Sequence, residues 1–219
     1  MRLCAALKTT VISGAVVLAL CAQTAPPKEA AAEGKGLAPR AAPADYPAQA
    51  QVGQVTLAAE FKGHSVPTAT RPFTTEDYVS VEIGVFGPPD GKAKITADDF
   101  SLRINGKKNP LSVQPYGTVA SSLKDPEWVA PDAGEKKSKS GVNTGGQGGE
   151  PPPTPAKMPF ELQRAMQVEV KRAILREGDR TLPQAGLLFF EYRGKTEKIK
   201  SLELLYSGPE GKATLNLQP

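Results

Sequence analysis

Val79, Val81, Ile83 and Val85 alternate with Ser80, Glu82 and Gly84, and this strict period of two restricts the fold more than any other feature of the chain. Successive side chains of a β-strand point to opposite faces, so the run predicts a half-buried strand. The period recurs at Val55, Leu57, Ala59 and Phe61, at Phe100, Leu102 and Ile104, at Leu202, Leu204 and Tyr206, and at Ala213, Leu215 and Leu217. Leu111 and Val113 mark a return strand. Asp90-Gly91, Asn105-Gly106 and Gly208-Pro209-Glu210-Gly211 supply turn chemistry between the runs. Leu187-Leu188-Phe189-Phe190 is apolar without alternation, which predicts a strand covered on both faces. About seven or eight short strands with turns between them predict a mainly β chain, a β-sandwich. Its core is expected to include Val55, Leu57, Phe61, Ile83, Phe100, Leu102, Leu188, Phe190, Leu204 and Leu215.

One segment keeps a different period. Leu162, Met166, Val170 and Ile174 recur every fourth residue, with Pro159 before them and Gly178 after. That spacing predicts an amphipathic helix over 159–176, its narrow apolar stripe packed on the sandwich or covering an open edge. Two other stretches carry no period. Residues 23–50 are rich in Ala, Pro, Lys and Glu, poor in large apolar side chains, and read as a flexible tether. Residues 117–157, with KKSKS at 136–140 and a Gly/Pro-rich run behind it, read as a disordered insert. The sandwich domain is therefore expected over 51–218.

The chain begins like an exported protein. Arg2 and Lys8 precede the almost wholly apolar run Thr9 to Ala22, too short to span a bilayer, which predicts a secretory signal peptide over 1–22. The expected product is periplasmic or extracellular. Leu18-Ala19-Leu20-Cys21 is similar to a lipobox, except that Leu20 stands where a small residue belongs. Lipidation at Cys21 is the alternative, and only that would place the domain on a membrane. Loss of Arg2 and Lys8 with the leader leaves 25 basic against 23 acidic side chains, too even a balance to recruit nucleic acid.

The segments YVSVEIGVFGPP (78–89), ITADDFSLRING (95–106) and GLLFFEY with SLELLYSGPEGKATLNL (186–217) together resemble a bacterial class of secreted immunoglobulin-like domains. The resemblance covers about residues 52–116 and 178–218. It implies an extracytoplasmic sandwich, often on lipoproteins or secreted antigens, and it brings no catalytic residue to carry over. The long insert and Leu20 depart from that pattern.

Little chemistry remains to be assigned. Past Cys21 there is no cysteine, and His64 is the one histidine of 219 residues, which removes most metal sets and most nucleophile–base pairs. His64 lies in a loop by composition and reads as solvated. The doublets Asp98-Asp99 and Glu76-Asp77 precede strands and read as turn residues. Asp90, Asp98 and Asp99 lack the spacing of a calcium loop. No catalytic, cofactor-binding or metal-ligating residue is expected. Trp128 is either a plug on the core or a contact for a partner. Two functions follow: a non-enzymatic module that binds or scaffolds an envelope protein or glycan, or a carboxylate-dependent hydrolase of cell-wall or carbohydrate material using Asp99, Glu82 or Glu191 against a second acid.

Overall fold

The computed structural model describes residues 37–129 and 157–219, all within one unit, Glu33–Pro219. The expected leader with Cys21, the tether before residue 37 and residues 130–156 with their basic run lie outside the described residues. Thirteen strands are present among those described, more than the seven or eight expected, because the pattern missed several short ones. They are β1 (Ala48–Val52), β2 (Val55–Gly63), β3 (Ser65–Val66), β4 (Phe73–Thr75), β5 (Tyr78–Phe86), β6 (Lys92–Ile95) and β7 (Phe100–Ile104). Then follow β8 (Leu111–Ser112), β9 (Leu123–Lys124), β10 (Gly178–Thr181), β11 (Gln184–Glu191), β12 (Leu202–Gly208) and β13 (Gly211–Leu217). Two helices join them, α1 (Tyr116–Val119) and α2 (Phe160–Ala173).

Two four-stranded antiparallel sheets enclose the main core. The first runs β1-β2-β5-β11 and the second β13-β12-β7-β8. One cluster draws Val55, Leu57, Val81, Ile83 and Phe190 from the first sheet and Leu102, Leu204 and Leu215 from the second. The expected core residues all fall in it, Phe61 as a partly buried neighbour. The two sheets meet at an edge through a strand switch. Leu111 pairs with Leu102 of β7, whereas Val113 bridges Phe190 of β11 and the Gln114 N–H donates to the Phe189 carbonyl at 2.8 Å.

The outer face of the first sheet is covered too. Leu187 and Phe189 of β11 meet Met166, Val170 and Ala173 of α2 and Phe73 of β4 in a second core. So β11 is buried on both faces, as its unbroken apolar run predicts, while the alternating β5 is not half-buried: all nine of its residues are buried. Ser80, Glu82 and Gly84 mimic a solvent face because they carry what covers them rather than water.

The cover comes from residues expected to be tether. Leu37 packs into the second core, Arg40 contacts the carboxylates of Glu60 and Glu82, and Tyr46 packs with Ala58 and Phe86. Residues 37–47 thus form a strap, and β1 follows as an edge strand of the sheet. Small alanines suffice on an edge strand, so a search for large apolar residues passes over it. Residues 117–129 likewise depart from the expected insert: Val119 and Leu123 are buried in the second core, and buried Asp125 pairs with Arg71 at 2.9 Å.

The helix ends at Ala173, earlier than the expected 176. Ile174 turns extended and bridges Leu187 in parallel, and the Leu175 N–H donates to the Leu187 carbonyl at 3.1 Å. This brings two backbones so close at Gly186 that a Cβ there would sit inside the main chain of Ile174 and Leu175. Gly186→Ala should therefore destabilise the fold by about 1–3 kcal/mol or more in urea unfolding. Gly117→Ala, where a Cβ meets nothing within 4 Å, should be neutral or slightly stabilising. Equal effects of the two would show that the close crossing at Gly186 is not a constraint.

Candidate functional site

Chemistry-bearing side chains gather at one end of the domain. A register shift between Phe61 and Gly63, with Gly63 at φ 61°, turns β2 inward and delivers His64. Its Nδ1 lies 2.8 Å from the Tyr78 carbonyl and its Nε2 lies 2.8 Å from the Gly194 carbonyl. Both ring nitrogens are thus turned onto backbone carbonyls, which hold the imidazole between two chain segments. The ring also stacks on Tyr192, centroids 6.3 Å apart at 23°. His64 is therefore a half-buried clasp between β5 and the β11–β12 connection, not the solvated loop residue expected.

The clasp holds up a wall with a cleft on each side. Arg193 and Gly194 border both clefts. One, of about 610 Å³, is lined by Thr74, Glu76, Lys195 and Glu197. The other, of about 370 Å³, is lined by Lys107, Asn109, Glu191 and Tyr192. Arg193 is fixed by Asp77 at 3.2 Å and Glu191 at 3.8 Å. Asn105, at φ 53°, stitches the β7–β8 loop to the β11–β12 connection. Its Oδ1 accepts the N–H groups of Lys200 and Ser201 at 2.6 and 3.2 Å, and its Nδ2 donates to the Lys198 carbonyl at 3.1 Å.

A second polar cluster lies under the strap. Glu60 and Glu82 stand directly opposite on β2 and β5. Arg40 Nη2 is 3.1 Å from Glu82 and also contacts Glu60, and Lys62 Nζ is 2.7 Å from Glu60 and 3.3 Å from Glu82. Burial pushes the Glu60 carboxyl up, but hydrogen bonds from Lys62 and Arg40 outweigh it and hold the group below the usual carboxylate range. Both carboxylates are occupied by the same two cations, Arg40 and Lys62. The pair is a structural ion network.

The other expected acids do not converge either. Burial, with Asp98 and Glu177 nearby, raises the Asp99 carboxyl against the pull of Lys94. Its Oδ2 is buried without a partner and lies against Gly208, whereas Asp98 and Glu177 face a separate cavity of about 430 Å³. Glu191 is exposed and paired to Arg193. Asp90 occupies a turn at φ 58°. Among the described residues, no three His, Cys, Asp or Glu side chains come together as a metal site. Trp128 is half-buried, its backbone N–H donating to the Asp125 carbonyl at 3.2 Å, and it belongs to none of the three core clusters.

No family model, curated protein or solved structure matches this chain. Its function must therefore be read from its own geometry.

Two measurements probe these clusters. His64→Ala removes the ring that lies against two carbonyls and Tyr192 and should cost about 1–3 kcal/mol, with faster amide exchange at Tyr192 through Lys195; unchanged exchange there would refute the clasp. The Tyr46 hydroxyl is buried with no hydrogen-bond partner, so Tyr46→Phe should leave stability at pH 7 equal or raise it by up to about 1 kcal/mol. Burial, followed by the Glu82 charge, pushes the Tyr46 phenol up to about 12 from an ordinary 10.0. The folded chain then keeps a proton that the unfolded chain releases, so stability falls as pH climbs from about 10 towards about 12. Chemical denaturation at pH 9 and pH 11 should show a steeper loss for the parent than for Tyr46→Phe.

Proposed function

We propose that this chain is an exported, non-enzymatic binding or scaffolding module of the cell envelope or extracellular space, built as an immunoglobulin-like sandwich. The observation that carries this reading is the clasped end of the domain. There, loops from three connections are fixed by His64 and Asn105 into a wall with a cleft on either side. Rigid strands that present pre-set loops at one end are a common way for such folds to bind. The two facing sheets and the resemblance of 78–89, 95–106 and 186–217 to secreted immunoglobulin-like domains support the fold side of the reading. The basic n-region and the apolar run before Ala22 support export.

The hydrolase reading keeps one observation in its favour, the raised Asp99 carboxyl with Asp98 and Glu177 beside it. Against it stands the direction of the buried Asp99 oxygen, which lies on Gly208. Affinity capture from envelope extract at several salt concentrations tests both. A saturable partner, retained by Asp99→Asn and lost on His64→Ala, is the expected result. Cleavage of cell-wall glycan by the parent and not by Asp99→Asn would replace the module with an enzyme.

A further inference from the structure

The two loops that Asn105 joins have an unusual charge balance. Residues 105–110 and 192–200 contain Lys107, Lys108, Arg193, Lys195, Lys198 and Lys200 against a single acid, Glu197. All six cations are exposed. Arg193 is committed to Asp77 and Glu191, and none of the five lysines is ion-paired with a described residue. The chain as a whole is nearly balanced, so this excess is local rather than a reflection of composition. The Asn105 bonds to the backbone at 198, 200 and 201 bring the loops side by side. Like charges held together cost energy unless something of opposite sign meets them.

We infer that this end of the domain binds an anionic glycan, a polymer of uronate sugars. The inference rests on the binding-module reading and names its partner class. Three features select a glycan over a lipid surface. The 370 Å³ cleft is concave and has Tyr192 in its lining, an amphipathic aromatic with its ring braced on His64. Asn109 lines the same cleft, and its amide can both donate to and accept from sugar hydroxyls. The large apolar side chains exposed among the described residues are Val129, Phe160 and Val168, none of which belongs to these loops, so this end has no such group to insert into a membrane. Lys107 and Lys195 line different clefts that adjoin at Arg193 and Gly194, an arrangement that suits an extended chain better than a single small anion.

The test uses the full chain with polygalacturonate, neutral dextran, and vesicles of phosphatidylglycerol and phosphatidylcholine. Saturable binding to polygalacturonate alone is expected, weakening steeply with added salt. Lys107→Glu with Lys195→Glu should weaken it about tenfold or more, while Lys212→Glu, on β13 beside the Gly208–Gly211 turn, should leave it unchanged. No binding to polygalacturonate, equal binding to dextran, insensitivity to the double substitution, or binding to vesicles in its place would each overturn the inference. A saturable partner captured from envelope extract by a chain that ignores polygalacturonate would sink this inference and leave the module reading standing. Failure of both would end the two together.

Discussion

Glu82 occupies the middle of a strand that has no face left for water, its side chain 8 % exposed, and a carboxylate cannot stay there alone. Desolvating an ion costs several kcal/mol unless counter-charges and hydrogen bonds replace the lost water. Arg40 and Lys62 supply them, with Glu60 completing a network of two acids and two bases. Arg40 comes from a segment whose only regular structure is a single 3-10 turn, Pro43–Asp45, so neutralising one strand residue fixes the course of the whole strap. Once Arg40 is placed, its guanidinium covers the Tyr46 ring at 4.2 Å, Tyr46 covers Gly84, and β1 enters in register beside β2. Desolvation offsets much of the attraction in such a network. Its main effect is to specify where the strap lies.

The strap also explains the layering. The main core holds the two sheets together, the second core seats α2 and the small β3-β4-β9 sheet on the outer face, and the strap closes what α2 leaves open. The first sheet is therefore the middle layer of the domain. The close crossing at Gly186 locks the end of α2 to the edge of that layer and lets the helix stop where its stripe runs out.

Alternation made the main core legible, because the inward residues of β2, β5, β7, β12 and β13 obey a period of two whatever covers their outer sides. It misled on β5 for the same reason: Ser80 and Glu82 look alike in sequence whether they meet water or a buried serine–carbonyl bond and an arginine. The Ser80 hydroxyl in fact donates to the Ser65 carbonyl at 2.5 Å, a contact that no pattern announces. Short strands such as β6 and β10 were hidden because Lys92, Lys94, Asp179 and Arg180 leave too few apolar residues to count. At the candidate site, Asn105-Gly106 is the turn its sequence predicts, yet the amide of Asn105 bonds across 93–96 residues of sequence. His64 reads as solvated in sequence because both of its partners are backbone carbonyls, which every residue has and no motif records. Such a site becomes visible only once the chain is folded.

A last consequence of the strap is mechanical. Its contacts are arranged in series along the chain: Leu37, then Arg40, then Tyr46, then the five-residue ladder of β1 against β2. A force applied ahead of Leu37 meets them one at a time and peels them, whereas a ladder loaded along its length shares the force among all its bonds. The outer contacts give way first and the main core, which contains none of Leu37, Arg40 or Tyr46, is untouched when they do. The strap contacts up to Tyr46 are thus arranged so that they can be lost without opening the main core.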